Sequence, residues 1–323
     1  MKRLLALAGL ACLTALVASP ASTQELSRGP ITIIVPYNPS SGPDFFARLI
    51  APKMSERLGQ PVVIENRPGA AGVAGMQRMV SQPADGHTLM MGDTSVLILA
   101  PYLVKDLPYK PMEVARPIAL VGTQPYLLAT STAANDFQSM QDVIDAAKAN
   151  PGGVSYGSPG FGSNHHIIME TFAYMAGVRL KHVPYSGGAE LSAALLAGEV
   201  DIGFSSLGSL KANLEAGAVK LIGASTPQRF PMLPDVPAIS EVLPGFDFTS
   251  DPGVITASGV PDAVVDQISS SIKFALDDPE VQKGFRNLSV EPIYTDAKGY
   301  EANLVANAER FAKAVGVAGV EPK

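Results

Sequence analysis

Residues 31–37 read ITIIVPY, residues 38–43 continue as NPSSGP, and a helical pattern begins at Asp44. Residues 154–163 read VSYGSPGFGS and lead into a second helical pattern from Asn164. Both stretches predict a strand, a turn of small residues and a helix. Such a turn places hydroxyls and free backbone N–H groups at the positive end of a helix dipole, where small anions such as carboxylates bind without a lysine or arginine. Two of these turns in one chain predict two jaws that close on one acidic ligand.

The amino-terminal stretch, residues 1–21, has the pattern of a secretory signal. Lys2 and Arg3 form a short basic start, a nearly continuous apolar run follows, and small residues offer a cleavage site after Ala21. The run is short for a membrane span, and no later stretch approaches about 20 apolar residues. The sole cysteine, Cys12, lies inside this signal, and the apolar run continues past it, which disfavours lipid attachment there. We therefore expect an exported, soluble mature chain without disulfides.

Charge and length narrow the classes of function. The chain has 323 residues and a formal net charge of -6, and its pI is near 5.3. An acidic chain of this kind is not expected to bind nucleic acid or to present a basic patch to a membrane. Its length permits two modest domains with proper cores.

Short apolar stretches alternate with helical ones, which predicts an α/β fold with mainly parallel sheets. Strands are predicted at residues 31–35, 61–64, 88–91, 126–130, 154–156, 181–184, 200–204 and 220–224, and from Phe248. Helices are predicted at residues 44–58, 71–80, 139–149, 164–176, 189–196, 263–276, 279–287 and 297–315. The proline-rich residues 227–244 are predicted to be irregular.

A long helix follows the excursion into the second set of elements, so we expect the chain to cross between two lobes twice, near Tyr126 and near Phe246. The predicted division is a signal peptide at 1–21, a first lobe from residues 22–126 plus 247–323, and a second lobe from residues 127–246. A ligand cleft is expected between the lobes.

Several motifs carry a family resemblance. Residues 35–37 (VPY) with residues 44–48 (DFFAR) resemble the opening pattern V-P-[FY]-x-x-G-G-x-x-D-x-x-A-R, and residues 65–72 (ENRPGAAG) resemble E-N-R-P-G-A-x-G. Residues 156–163 (YGSPGFGS) and 182–185 (HVPY) match second-lobe signatures of the same family. In this order, and over essentially the whole mature chain, the motifs resemble the Bug-type periplasmic solute-binding receptors of tripartite tricarboxylate transporters.

The resemblance implies a two-lobed type II periplasmic-binding-protein fold in the periplasm. It implies a monomeric receptor, not an enzyme, that uses no cofactor and no metal. Such a receptor holds a small organic carboxylate between two strand–helix loops, partly through ordered water, and hands it to the membrane transporter subunits. We expect an aromatic carboxylate or a dicarboxylate. The chain departs from the family in having Ser40 and Ser41 where two glycines are usual, and in lacking tryptophan.

The predicted ligand-binding residues lie where strands give way to the next turn or helix, since ligands of open α/β sheets bind beyond strand carboxyl ends. On the two loops they are Ser40, Ser41, Gly42, Asp44, Ser158, Gly160, Ser163, Asn164 and His165. After other strands they are Tyr37, Thr94, Ser95, Tyr185, Ser205 and Ser206. Alternative roles stay open, because serine and aspartate also cap helices and a tyrosine often lies at the edge of a core.

The sequence gives weaker support for other functions. His166 and Glu170 share a helix face but have no third metal ligand near them in sequence. A secreted serine hydrolase would need a base beside Ser158, Ser163 or Ser205, and none is indicated; the G-x-S-x-G pattern also fails around Ser158. A ligand-sensing receptor for a signalling partner is not distinguishable from a transport receptor on these residues.

Overall fold

The computed structural model describes residues 25–39, 41–69 and 72–322. The predicted signal peptide and Ser40 lie outside these residues. In the described part of the chain, no helix is long and apolar enough to cross a membrane.

Strands and helices alternate along the chain. In chain order the strands are β1 (Ile31–Val35), β2 (Val62–Asn66), β3 (Thr88–Gly92), β4 (Ala115–Pro125), β5 (Leu127–Ser131), β6 (Ser155–Ser158), β7 (Lys181–Pro184), β8 (Ile202–Ser205), β9 (Val219–Ala224), β10 (Thr249–Ser250), β11 (Gly253–Ala257) and β12 (Glu291–Thr295). The α-helices are α1 (Gly42–Leu58), α2 (Val73–Val80), α3 (Ala100–Leu103), α4 (Pro111–Val114), α5 (Met140–Ala149), α6 (Asn164–Ala176), α7 (Gly188–Ala197), α8 (Leu207–Glu215), α9 (Asp262–Leu276), α10 (Pro279–Asn287) and α11 (Ala297–Ala318). A π-helix spans Ser95–Leu99, and a 3₁₀ turn spans Ile239–Glu241.

The strands form two sheets, each the centre of one lobe. The first sheet has the order β10-β4-β11-β3-β1-β2, with β12 beside β4, and the second has the order β7-β6-β8-β5-β9. Both sheets are mixed, so the prediction of mainly parallel sheets is wrong. β1 runs parallel to β2 and β3, but β11 runs antiparallel to β3 and β4, and β5 runs antiparallel to β8 and β9. The path of the chain explains this, because β4 leads out of the first sheet and β11 lies beside it only after the chain has returned.

Sheet membership changes between β4 and β5, and it changes back between β9 and β10. The chain therefore leaves the first sheet after Pro125 and rejoins it at Thr249, and the division at residues 126 and 246 stays a prediction. Below, the first lobe means the part built on the first sheet, and the second lobe means the part built on the second.

Strand β1 is buried on both faces, as expected for a parallel strand covered by helices. Ile33 and Val35 pack in one core with Phe46 of α1. Ile34 belongs to a different core, which also contains Met90 of β3 and extends into the second lobe. The near-continuous apolar sequence of β1 thus contributes side chains to two cores. The packing of α1 on β1 places the amino end of α1 next to the carboxyl end of β1.

An aromatic row runs through the core that the lobes share. Phe204 of β8 stacks on Phe246 with 6.4 Å between ring centroids, and Phe246 contacts Phe248 edge-on at 5.0 Å. Phe248 in turn contacts Phe311 of α11 edge-on at 5.2 Å. All four side chains are buried. The carboxy-terminal helix therefore packs into the same core as the second sheet.

Four parts of the fold have no counterpart among the predicted elements: β4, the π-helix with the short α3 and α4, α8, and β12. Strand β4 reads ARPIALVGTQP, with two prolines and a bulge opposite β11, so its period-two pattern is weak. Helix α8 reads LGSLKANLE, has a glycine in its first turn and buries only Leu210. Residues 227–244 are irregular as predicted, apart from the 3₁₀ turn and a bridge between Ala224 and Ala238.

Candidate functional site

A cleft of about 550 Å³ lies between the two lobes. The first lobe and its junction with the second contribute Tyr37, Ser41, Gly42, Pro43, Phe46, Asp93, Ser95, Gln124, Pro125, Tyr126, Ser250 and Pro252. The second lobe contributes Pro159, Asn164, His165, Gly188, Leu191, Ser205, Ser206 and Ser209. Hydroxyls, amides and apolar walls dominate this lining.

Four α-helices begin at the cleft. Each of α1, α6, α7 and α8 places a residue of its first turn in the lining, namely Gly42, Asn164, Gly188 and Ser209. The first turn of a helix has N–H groups without intrahelical partners, and the helix dipole is positive there. The described lining residues include no lysine or arginine. A negative ligand group would therefore be bound by backbone dipoles and hydroxyls.

Ser41 stands at the N-cap of α1, but its hydroxyl makes no capping hydrogen bond. The Oγ atom is buried and has no hydrogen-bond partner among the described residues. Leaving a buried hydroxyl unpaired costs about 1–3 kcal/mol. Ser206 differs, because its Oγ accepts the Ser209 N–H of α8 at 3.3 Å. Ser41 thus has a buried hydroxyl at the amino end of α1 whose hydrogen-bonding capacity is not used by the described residues.

Asp93 follows β3 and is held by donors of the first lobe. Tyr37 Oη donates to its Oδ2 at 2.6 Å, and the Val96 N–H donates to its Oδ1 at 3.1 Å. Burial raises the pKa of Asp93, and these hydrogen bonds oppose that rise. Burial and the nearby Asp93 charge raise the pKa of Tyr37. The pair therefore fixes the orientation of both side chains at the cleft wall.

Asn164 joins the two lobes across the cleft. Its Nδ2 donates to Tyr126 Oη at 2.7 Å and to Ser95 Oγ at 3.2 Å. His165 packs edge-on against the Tyr126 ring, with centroids 5.1 Å apart. Burial lowers the pKa of His165 to about 4, so its ring is neutral at pH 7. These contacts place the start of α6 directly against the point where the chain enters the second lobe.

The structure brings eight of the residues singled out from the sequence into the cleft wall: Tyr37, Ser41, Gly42, Ser95, Asn164, His165, Ser205 and Ser206. Other predicted residues have hydrogen bonds that shape the loops. Asp44 is buried, where it accepts from Arg48 Nε at 2.9 Å and from Asn66 Nδ2 at 2.9 Å. Thr94 is also buried and does not line the cleft. Direct ligand contact by either residue stays a prediction.

The loop after β6 is also supported from within. Ser163 caps α6 by accepting the His166 N–H at 3.3 Å, and it donates to Gly160 O at 2.7 Å. Ser158 Oγ donates to the same carbonyl at 3.0 Å. Tyr185 Oη donates to Glu199 at 3.4 Å, outside the cleft lining. From this loop, the cleft lining includes Pro159 but not Ser158, Gly160 or Ser163.

Sequence reasoning missed several lining residues. Asp93 stands directly after β3, so the strand-end argument that selected Thr94 and Ser95 applied equally to it. Gln124 and Pro125 belong to β4, a strand that was not predicted. Tyr126 is expected from the sequence to begin a strand and to mark a crossing between lobes, but not to line the cleft.

A serine hydrolase would need a base beside Ser158. Its Oγ lies 2.7 Å from His182 Nε2, a neighbour that the sequence did not reveal. However, Ser158 is fully buried, and burial lowers the pKa of His182 to about 4, with His166 contributing. The His182 ring is stacked on His166, with centroids 4.3 Å apart. This arrangement supports the loop and offers no exposed nucleophile. Over the described residues, no group of three or more His, Cys, Asp or Glu side chains is placed to hold a metal ion.

Comparison with known proteins gives consistent matches. The model of the tripartite tricarboxylate transporter family receptor matches residues 46–316. The UPF0065 protein in the tcbD-tcbE intergenic region of Pseudomonas sp. (strain P51) is 35% identical over 264 residues, which are 81% of this chain and 78% of that protein.

Solved structures are similar over most of their length. R. palustris Rpa4515 with adipate has a TM-score of 0.78 and 28% identity, covering 91% of this chain and 98% of its own. The periplasmic binding protein BugD has a TM-score of 0.73 and 26% identity, and the match covers 91% of this chain and 99% of BugD. MatC from Rhodopseudomonas palustris with bound malate has a TM-score of 0.73 and 26% identity, and the match covers 88% of this chain and 98% of MatC. The predicted two-lobed periplasmic-binding-protein fold is confirmed.

Proposed function

This chain belongs to the Bug-type receptors of the tripartite tricarboxylate transporter family, and from that premise we propose that it captures a small organic carboxylate in the periplasm and presents it to a membrane transporter. We propose that it acts as a solute-binding receptor and not as an enzyme, in line with the receptor description of its family.

The observation that carries the proposal is the meeting of four helix amino ends in a cleft whose described lining has no lysine or arginine. An anion is favoured at each such end by the dipole and the free N–H groups. Ser41, whose hydroxyl has no hydrogen-bond partner among the described residues, adds a donor at the start of α1. A carboxylate is a chemical group that such donors can bind.

The size and lining of the cleft indicate which classes of ligand to test. A volume of about 550 Å³ is within the usual range for small-molecule sites. Phe46, Leu191 and Pro252 supply apolar surface opposite the hydroxyls. The neighbours Rpa4515 and MatC hold adipate and malate, which are small carboxylates. Aromatic carboxylates and dicarboxylates are therefore the first classes to test.

We propose that the protein captures its ligand as a monomer, by closure of its two lobes. In this proposal, the two closing lobes are residues 22–126 plus 247–323 and residues 127–246. The cleft lining includes residues of both lobes. We propose that the closed form, with Asn164 bonded to Tyr126 and Ser95, is the form that the transporter subunits recognise.

A thermal-shift screen of the mature protein tests the proposal. Mono-, di- and tricarboxylates and aromatic acids are titrated, each beside its methyl ester as an uncharged control. A true ligand raises the unfolding midpoint with concentration, because it binds only the folded state, and its ester does not. Stabilisation by no carboxylate, or turnover of a bound ester, would contradict the proposal.

A further inference from the structure

Asp93 stands apart from the rest of the cleft lining. With His165 neutral at pH 7, it is the only lining residue of the described chain with a formal charge, and that charge is negative. A site that binds an anion without lysine or arginine thus contains a carboxylate of its own. Asp93 therefore bears directly on which anions the cleft can accept.

The donors around Asp93 are uncharged. They are the Tyr37 hydroxyl and the Val96 N–H, and the Ser95 backbone N–H adds to them. Within the described residues, no lysine or arginine forms an ion pair with Asp93.

A second buried carboxylate reinforces the negative field. Asp251 is 3% exposed and accepts from Thr123 Oγ1 at 2.6 Å and from Asn307 Nδ2 at 3.0 Å, again uncharged donors. The Asp93 and Asp251 charges both help to raise the pKa of Tyr126, after burial, and Tyr126 is itself in the cleft wall. Both carboxyl groups therefore make the electrostatic potential on the first-lobe side of the cleft more negative.

The helix ends divide the cleft into two kinds of surface. Asp93 occupies the amino end of the π-helix Ser95–Leu99 through its bond to Val96 N–H. The amino ends of α1, α6, α7 and α8 have no acidic side chain in the lining. A ligand carboxylate would be favoured at any of these ends. A second carboxylate that reached Asp93 would meet a fixed negative charge, whereas an ammonium, amide or hydroxyl would meet an acceptor.

We propose that Asp93 determines specificity: it selects carboxylates whose second polar group is a hydrogen-bond donor, such as an ammonium or an amide, and rejects dicarboxylates of the same length. This inference rests on the proposed function of the cleft as a carboxylate site. It narrows the ligand class to amino acids, amides and hydroxy acids with one free carboxylate.

Length-matched sets of acids provide the test, with calorimetry on the mature protein at neutral pH. The sets are succinate, 4-aminobutanoate and succinamate; adipate, 6-aminohexanoate and adipamate; and terephthalate, 4-(aminomethyl)benzoate and 4-carbamoylbenzoate. In the set that binds best, the amino acid and the amide are expected to bind at least about tenfold more tightly than the diacid, given unscreened repulsion in a buried cleft.

Asp93→Asn is expected to reduce the preference for the amino acid over the diacid at least about tenfold, since it removes the charge and keeps the shape. Asp145→Asn, the same change on an exposed face of α5, is expected to leave the preference unchanged. If Asp93→Asn lowers the unfolding midpoint strongly, Asp93→Ser replaces it, because serine can still cap the Val96 N–H.

The outcomes separate this inference from the proposed function. A diacid that binds most tightly to the wild type, with a ranking unchanged in the Asp93 variants, overturns the inference and leaves the carboxylate receptor standing. Binding of no acid in any set overturns the proposed function, and the inference with it.

Discussion

At the scale of single residues, two serines at helix amino ends have different roles. The Ser41 hydroxyl is buried without a partner among the described residues, and Ser41 is part of the cleft wall. The Ser163 hydroxyl already accepts from His166 N–H and donates to Gly160 O. We expect Ser41→Ala to weaken carboxylate binding by about 1.5–3 kcal/mol, the value of a hydrogen bond to a charged group, without lowering the unfolding midpoint of the ligand-free protein.

Ser163→Ala is the matched comparison. It removes a cap and is expected to lower the free energy of unfolding by about 0.5–2 kcal/mol. Calorimetry and urea unfolding on both variants distinguish the roles. Equal affinity of Ser41→Ala and the wild type would show that Ser41 does not touch the ligand.

At the scale of elements, the loop between β6 and α6 depends on neutral histidines. Gly162 N–H donates to His166 Nδ1 at 3.2 Å, which requires that nitrogen to be unprotonated. Ser158 Oγ, which donates to Gly160 O, lies against His182 Nε2. Protonation of both histidines would remove the acceptor for Gly162 and place two positive rings in a stack.

This loop is expected to lose stability in mild acid. Burial lowers the pKa of His166, and it lowers the pKa of His182 to about 4, whereas an unfolded histidine titrates near 6.5. Between those values the unfolded chain binds more protons, so the free energy of unfolding falls as pH drops from about 6.5 towards 4. Urea unfolding measured at several pH values checks this. His182→Gln should show a smaller drop than the wild type, and an equal drop would count against the histidine stack.

The elements predicted correctly from sequence are those with local signals. β1, β3 and α6 combine an apolar period with a turn or a glycine stop, so their positions followed from a few neighbouring residues. β4 and β12 form only because they pair with strands far away in sequence, and no local pattern marks them. The same limit applies to the site. Ser41 and Asn164 stand at recognisable turns, whereas Gln124 and Tyr126 reach the cleft only through the pairing of β4.

At the scale of the whole molecule, binding and closure are expected to be linked. The chain crosses near Tyr126 and Phe246, and hinges usually involve a few residues at the ends of elements. We expect a verified ligand to reduce the radius of gyration in small-angle scattering. Asn164→Ala removes the bonds to Tyr126 and Ser95, so it should enlarge the ligand-free radius and weaken binding. An identical radius with and without ligand would indicate a preformed site.

The charge distribution of the whole cleft also predicts the effect of salt. With no lysine or arginine among the described lining residues, affinity depends on short hydrogen bonds and backbone dipoles rather than on long-range attraction. We expect less than about a threefold change in affinity between low and high salt. Isothermal titration at two salt concentrations measures it, and a steep fall would point to cationic groups in binding.

The aromatic row of the shared core has a consequence for how the protein matures. Phe248 packs edge-on against Phe311 of α11, while Phe246 stacks on Phe204 of the second sheet. As a chain grows or threads through a pore from its amino end, residues 127–246 emerge well before α11. Until that helix arrives, part of the apolar surface around Phe246 and Phe248 has no cover. The second lobe, although contiguous in sequence, therefore completes its packing only when nearly the entire chain is present.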